Sequence, residues 1–180
     1  RIGEGLGNQL FMYANAYSLS KKFGYNLYID NESGFANNKR SRSYNLNFFD
    51  IPEQLCPEKI KFNSYIKNLK RKSLKFIDNF IPNKRFITEV VDKNKQTKFK
   101  EISKLGSIQM YIEGHYESEL YFKDYENELK KILKVKYDLI DKDNPYINQI
   151  KQSNSVSIHL RKNRFTEDLS NQKTSNNEKD

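Results

Sequence analysis

The sequence predicts an α/β fold built around a parallel sheet, and its first 30 residues indicate this most directly. Ile2 resembles the last residue of a buried strand, and the glycine-rich stretch "GEGLG" follows it. From Gln9 to Phe23 the apolar residues recur at helical spacing, and Gly24 supplies a C-terminal stop. The stretch "YNLYID" then predicts a second strand that ends at Asp30. Strand, glycine turn, helix and strand in this order are typical of a parallel α/β sheet.

The rest of the chain predicts a less regular series of elements. Residues 31–59 are rich in Asn, Ser and Gly and predict loop structure, and the lysine-rich residues after them predict short helices with irregular segments. "SIQMYIEG" alternates like a strand, and a helical stripe of apolar residues extends from Tyr121 to Leu133. "SVSIHLRKNRF" predicts a short strand, whereas the polar residues 166–180 predict loop or disorder.

Composition excludes several classes of protein. With 180 residues, of which 36% are hydrophobic, the chain can bury the core of one domain. Cys56 is the only cysteine in the sequence, which excludes an intramolecular disulfide framework and a cysteine cluster for zinc. The sequence contains no run of about 18 apolar residues and so predicts no membrane-spanning helix. We expect a cytoplasmic protein, with peripheral attachment to the inner face of the membrane as an option.

The net charge of +9 comes from one part of the chain. Residues Lys59 to Lys104, here called the basic segment, include 14 Lys or Arg and 4 Asp or Glu. The other residues include 18 Lys or Arg and 19 Asp or Glu. Interspersed phenylalanines such as Phe76 and Phe80 are compatible with a surface for nucleic acid or for anionic lipid headgroups. A solvated lysine-rich face is the alternative interpretation. Because no signature of a nucleic-acid-binding module is present, we expect no nucleic-acid partner and retain contact with an anionic membrane.

Three glycines one residue apart, Gly3, Gly5 and Gly7, define the glycine turn before the first predicted helix. Their spacing does not match the dinucleotide fingerprint, because Asn8 stands where the third glycine of that fingerprint belongs. Glycines nevertheless let backbone N–H groups approach an anion, and the start of a helix adds partial positive charge. The sequence therefore predicts a phosphate site at this turn, with a plain tight turn as the alternative.

A second group of candidate residues lies in the last predicted strand. His159 and Arg161 are two residues apart, so on a strand they would project from the same face near its carboxyl end. Arginine keeps its charge and offers a planar fork that can neutralise a diphosphate leaving group without a metal. A basic strand end exposed to water is the alternative interpretation.

Taken together, these stretches resemble one family. "GEGLGNQLFMYANAYSLSKKFGYNLYID" is similar to the N-terminal GGLGNQ signature of the glycosyltransferase family 11 fucosyltransferases, the alpha-1,2-fucosyltransferases. "YIEGHYESELYFKDYENELKKIL" resembles their G-Y-x-Q-S-E-x-Y-F segment, and "SVSIHLRKNRF" resembles their H-x-R-R-x-D motif. The resemblance covers most of the chain in the right order, and the first match is the most specific.

The resemblance implies a GT-B architecture of two Rossmann-like domains. Residues 1–154 would form the N-terminal Rossmann-like domain, with the basic segment 59–104 as an insertion. Residues 155–180 would begin the donor-binding region, so that the chain would be the N-terminal half of an enzyme, truncated before or within the second nucleotide-binding domain and inactive alone.

The implied activity is inverting transfer of fucose from GDP-fucose to a galactoside hydroxyl, in alpha-1,2 linkage and in surface-glycan biosynthesis. The resemblance implies no metal and no cofactor, and an acceptor that could be lipid-linked. Arg161 matches the arginine that grips the donor diphosphate, and His159 matches the histidine that lines the same site. Gly5, Gly7 and Asn8 match the donor-proximal glycine turn.

Other functions stay open at the level of sequence. Lys162, Asn163 and Arg164 stand where the family has R-x-D, which favours a non-catalytic or degenerate paralogue. The basic segment leaves open a protein that binds nucleic acid or an anionic surface, and the turn leaves open a dinucleotide-dependent enzyme. The catalytic base is not assigned. Its candidates by residue type are Glu113, Glu117, Glu119 and Asp124.

Overall fold

The fold is taken from a computed structural model that describes residues 1–36, 41–52, 54–90, 97–104, 106, 108–140 and 144–158. The chain separates into two compact units, Arg1–Lys136 and Tyr137–Asp180. The expected domain boundary between residues 154 and 155 stays a prediction.

The first unit mixes helices, short strands and 3-10 turns. Its helices are α1 (Leu6–Phe23), α2 (Tyr65–Asp78) and α3 (Glu126–Ile132), and its strands are β1 (Phe86–Thr88) and β2 (Tyr111–Glu113). The 3-10 turns are Leu46–Phe48, Glu119–Tyr121 and Lys123–Tyr125. In the second unit, a 3-10 turn at Tyr137–Leu139 precedes α4 (Pro145–Lys151).

The predicted first helix is confirmed as α1. Gly24 ends it in the left-handed conformation, with φ of 72°, and its N–H donates to the carbonyl of Ser20. The buried face of α1 includes Met12, Tyr13 and Tyr17. The Tyr17 hydroxyl donates to Glu128 at 2.7 Å, and burial together with this bond raises the pKa of Tyr17 to about 12.

Parallel pairing is confirmed, although the regular strands are short. β1 and β2 pair in parallel with Ile87 opposite Ile112, and Ile29 forms a parallel bridge with Leu55. The N–H of Ile2 donates to the carbonyl of Asp30 at 2.9 Å, and the amino group at residue 1 donates to the carbonyl of Ile112 at 3.1 Å. Extended segments therefore lie side by side in the order of residues 55, 29, 2, 112 and 87. The predicted strands at residues 2 and 25–30 exist as such segments, not as regular strands.

The predicted continuous helix from Tyr121 to Leu133 is wrong in its first part, which forms two 3-10 turns before α3. Phe122 interrupts the helical backbone, with φ of −139° and ψ of 10°, and Tyr125 does so with φ of −117° and ψ of 17°. Their rings pack on α1, with centroids 5.9 Å from Phe11 and 6.5 Å from Tyr17 respectively. Aromatic packing against α1 thus accompanies each break in the helix.

Two further expectations concern the later chain. Residues 155–158 form no strand, and the remainder of the predicted strand, from residue 159 onward, lies outside the described residues. In the described part of the basic segment, α2 is a single helix of 14 residues, where short helices with irregular segments were predicted.

Candidate functional site

The glycine turn connects the extended segment at residue 2 to α1. Its left-handed residue is Glu4, with φ of 63°, while Gly5 is the N-cap residue of α1 with an extended backbone. A left-handed non-glycine residue is uncommon and costs about 1 to 3 kcal/mol, and such residues cluster at functional sites. The backbone conformation thus marks the same turn that the sequence singled out.

Packing demands a glycine at position 34, which sequence reasoning missed. An ideal Cβ at Gly34 would lie 1.8 Å from the carbonyl oxygen of Ile2 and 2.8 Å from the Cα of Gly3. Both are backbone atoms that cannot swing away. Gly34 therefore allows the loop after residue 30 to close directly on the glycine turn.

Gly7 and Gly5 have different surroundings. A Cβ on Gly7 would meet no atom within 4 Å, so packing among the described residues gives no reason for a glycine there. A Cβ on Gly5 would lie 2.7 Å from Nη1 of Arg42, so the Arg42 guanidinium rests against the backbone at the start of α1. Arg42 is a second residue that sequence reasoning missed.

The start of α1 has the electrostatics of an anion site. Gly5 offers no side-chain cap, and the first turn of the helix contains no acidic residue. The partial positive charge of the helix end is therefore not neutralised by a capping oxygen of Gly5 or by an acid of the first turn. The Arg42 guanidinium adds a full positive charge at the same place. Asn8 is half-buried in this turn, and in the described ranges no hydrogen bond engages its side chain.

Gln9 holds the glycine turn in place from within the core. Its fully buried side chain donates from Nε2 to the carbonyls of Glu4, at 2.9 Å, and Ser43, at 2.8 Å. Its Oε1 accepts from the N–H of Asn45 at 2.9 Å. One amide thus joins the turn to a loop more than 30 residues away. The sequence pointed to Gln9 only as a match to the last residue of the GGLGNQ signature and assigned it no role.

An open groove of about 390 Å³ lies beside this loop. Its lining residues are Asn31, Glu32, Phe35, Ala36, Ser43, Tyr44 and Asn63. Ser43 is shared between the groove and the Gln9 contact. Asn31 brings a buried Oδ1 that has no hydrogen-bond partner among the described residues. Amide, carboxylate and hydroxyl groups beside two aromatic rings suit a ligand rich in hydroxyl groups.

An ion-pair network fixes one wall of the groove. The buried Lys61 ammonium lies 2.5 Å from Glu32 and 2.6 Å from Glu58, and Asn63 donates to the other Glu32 oxygen at 2.6 Å. The hydrogen bond from Lys61 lowers the pKa of Glu32. The same bond raises the pKa of Lys61. Glu32 is therefore an ionised hydrogen-bond acceptor at neutral pH and not a proton donor.

Asp30 organises the backbone that leads into the groove. It is buried and accepts hydrogen bonds from the Tyr111 hydroxyl and from the N–H groups of Ser33, at 2.9 Å, and Glu32, at 3.2 Å. Burial raises the pKa of Asp30, but the bonds from Ser33 and Tyr111 outweigh this effect and leave the pKa below its ordinary value. In a dinucleotide enzyme an acid at this position would face a ribose. Here its bonds are internal.

The structure unites some of the predicted site residues. Gly5, Gly7 and Asn8 lie together at the start of α1. His159 and Arg161, like residues 162–164, lie outside the described residues, so their roles stay predictions.

The candidate bases differ in their surroundings. Glu113 is buried and ion-paired to Arg71 and Lys75, which makes it a structural group. The other three candidates, Glu117, Glu119 and Asp124, are exposed.

The described ranges contain neither a cluster of metal-binding side chains nor a membrane-spanning helix. Among these residues, no cluster of three or more His, Cys, Asp and Glu side chains is arranged to hold a metal ion. None of the helices in the same ranges is long and apolar enough to cross a bilayer.

Comparison with known proteins gives one informative similarity. No protein-family model matches the chain, and no solved structure matches it significantly. The chain is 26% identical over 170 residues to an alpha-1,2-colitosyltransferase of Escherichia coli, a match that covers 94% of this chain. The chain spans 55% of the length of that protein. It is therefore a distant relative of a glycosyltransferase.

Proposed function

We propose that the protein is a glycosyltransferase that transfers fucose from GDP-fucose to a galactoside hydroxyl, in alpha-1,2 linkage and with inversion. The observation that carries this proposal is the similarity to an alpha-1,2-colitosyltransferase along nearly the whole chain. The glycine turn adds a physical reason, since its uncapped helix start and Arg42 suit a diphosphate. The GT-B architecture is part of the same proposal.

In the proposed reaction, the acceptor hydroxyl oxygen attacks the anomeric carbon of the donor sugar. The bond from that carbon to the diphosphate oxygen breaks, its electron pair stays on the diphosphate, and the hydroxyl proton passes to a base. Negative charge therefore grows on the diphosphate and must be met by fixed positive groups. The start of α1 and Arg42 are such groups at the glycine turn. Arg161 is the candidate from sequence for a bidentate contact.

The groove beside the turn is the proposed site for the acceptor sugar. Sugar hydroxyls can donate to ionised Glu32 and to the Ser43 hydroxyl oxygen, while Tyr44 and Phe35 offer apolar ring faces. Because Ser43 belongs both to the groove and to the Gln9 contact, acceptor and donor would lie on neighbouring surfaces.

The test is transfer of radiolabelled sugar to a galactoside by the complete protein that carries this chain. Arg161→Ala should reduce transfer about a hundredfold or more with unchanged circular dichroism, as expected for loss of a donor at a developing charge. Arg161→Lys should stay impaired because an ammonium lacks the bidentate fork. Arg164→Ala should retain most activity. Asn8→Ala should lose about 1 to 3 kcal/mol of transition-state stabilisation without unfolding.

The donor is tested in the same assay by offering GDP-linked fucose and GDP-linked colitose side by side. Preference for colitose would retain the glycosyltransferase and correct the sugar. If a folded protein transfers sugar from neither GDP-fucose nor GDP-linked colitose, the result would favour the non-catalytic paralogue. An Arg161→Ala variant with wild-type activity would overturn the assignment of the donor site.

A further inference from the structure

Helix α2 presents its apolar side chains to solvent. Tyr65 is 79% exposed, Ile66 78% and Phe76 66%, and Phe80, just past the end of the helix, is 73% exposed. Leu69 and Ile77 are also exposed. At about 100° per residue, these positions occupy roughly one third of the helix circumference. The rings of Phe76 and Phe80 meet each other, with centroids 5.2 Å apart.

The opposite face of α2 is ionic and packs on the body of the protein. Arg71 lies 2.5 Å and Lys75 2.6 Å from the two carboxylate oxygens of the buried Glu113 on β2. Burial raises the pKa of Glu113, but the hydrogen bond from Lys75 and nearby positive charges outweigh it, so the pKa is lowered overall. Asp78, the buried residue of α2, accepts from the N–H groups of Arg85 and Phe86, both at 2.7 Å.

This orientation reverses the usual arrangement of a surface helix, in which the apolar stripe faces the core. The ion pairs to Glu113 and the bonds to Asp78 fix it, because rotating the helix would leave two buried carboxylates without partners. The exposed apolar face is thus held outward by the fold.

Exposed lysines border this apolar face. Lys70 and Lys72 are exposed and border the apolar positions on either side. Asp78 is the only acid in α2, and it is buried, so no negative charge opposes these lysines on the helix surface. An amphipathic helix with apolar aromatic residues flanked by lysines matches the interface of an anionic bilayer, where rings enter the headgroup boundary and lysines meet acidic lipids.

We propose that α2 is a membrane-docking helix that lies flat on an anionic bilayer through Tyr65, Ile66, Leu69, Phe76 and Phe80, with Lys70 and Lys72 on the lipid headgroups. The inference is independent of the proposed sugar chemistry. It concerns where the protein works, and the lipid surface would bring it close to any acceptor carried on a lipid.

The experiment is sedimentation of the complete protein with two kinds of vesicle. One contains phosphatidylcholine alone, and the other contains phosphatidylcholine with about 30% phosphatidylglycerol. Binding should occur on the anionic vesicles at low salt and fall about tenfold or more at about 0.5 M salt, as the Debye length shrinks. Lys70→Glu with Lys72→Glu should weaken binding about tenfold or more, since each lysine near an anionic surface contributes measurably. The matched control, Lys131→Glu with Lys134→Glu, reverses two exposed lysines outside α2 and should bind within about twofold of wild type.

Insertion of the apolar face has its own measurement. Residues 1–180 contain no Trp, so Phe76→Trp adds a fluorescent reporter to the face, and its emission is taken as the difference between the variant and the parent protein. Its emission should shift to shorter wavelength on anionic vesicles, and brominated lipids should quench it. Ile108→Trp, at an apolar position that is 93% exposed outside α2, should show neither effect.

Each alternative outcome overturns the docking proposal. Equal binding to both vesicles, binding to neither, or undiminished binding of the Lys70/Lys72 variant would do so. If the protein binds no vesicles but dimerises reversibly, and Phe76→Ser abolishes the dimer, the face would instead be assigned to a second copy of the protein. Transfer to a soluble acceptor should be unchanged in the Lys70/Lys72 variant. Failure of the docking proposal therefore leaves the glycosyltransferase proposal standing.

Discussion

Replacing Gln9 tests whether the glycine turn is positioned from the core. Gln9→Leu keeps a similar volume but removes three hydrogen bonds, leaving the carbonyls of Glu4 and Ser43 and the N–H of Asn45 without this partner. Each lost bond costs about 0.5 to 1.5 kcal/mol, and more where water cannot reach the orphaned group. We expect a loss of about 3 kcal/mol in the free energy of unfolding. For a domain of this size the melting temperature should fall by roughly 6 to 12 °C.

Gln9→Glu separates the two halves of the amide. Its carboxyl can still accept from Asn45, but an ionised oxygen would face the carbonyls of Glu4 and Ser43, which also only accept. Burial and this repulsion should raise the pKa of the introduced carboxyl above its unfolded value. Stability linked to a raised acid pKa is present at low pH and lost as pH rises through the folded pKa. The deficit against wild type should therefore shrink as pH falls from about 7 to about 5.

The assay is thermal unfolding by circular dichroism across this pH range, with Gln109→Leu as the matched control. Gln109 is exposed, and its replacement should change stability by no more than about 0.5 kcal/mol. The reasoning fails if Gln9→Leu melts like wild type. It also fails if the deficit of Gln9→Glu grows as the pH falls.

Two further predictions use the same unfolding assay. Gly34→Ala should lower the free energy of unfolding by about 1 to 3 kcal/mol or more, because its Cβ would lie 1.8 Å from a backbone carbonyl oxygen. Gly7→Ala, with open space around it, should be neutral or slightly stabilising. Equal melting temperatures for the two variants would contradict this. Asp30, Glu32 and Glu113 have lowered pKa values, so their contribution to stability is present above the ordinary carboxyl pKa and is lost as pH falls. The melting temperature should accordingly fall from about pH 6 to about pH 3, and a flat profile would refute the internal role given to these carboxylates.

The parts of the fold that could be predicted are those that depend on neighbouring residues. α1 follows from helical spacing and a glycine stop, both of which are local. Parallel pairing followed from the order of elements, but strand length did not. β1 and β2 have only three residues each.

What the sequence could not predict depends on contacts between distant residues. The partners of Gln9 lie up to 36 positions away in the sequence. The residues next to Gly34 give no local signal that the backbone of Ile2 packs directly against it. α2 was missed as one long helix because its apolar residues point outward, and its buried face is defined by a carboxylate on β2.

The way the start of α1 is held bears directly on function. Most helices satisfy their first N–H groups with a capping side chain or an acid in the first turn, and α1 uses neither. Its position comes instead from Gln9 on its inner side and from Gly34 beneath the turn. Support from these two sides fixes the turn without a capping side chain at the start of α1. A Ser or Asp at position 5 would add only a few tenths of a kcal/mol over the glycine cap, and its Cβ would lie 2.7 Å from Nη1 of Arg42. Gly5 therefore keeps the helix start free of a side-chain cap and leaves room for the Arg42 guanidinium next to the left-handed Glu4, which is the arrangement on which the proposed diphosphate site rests.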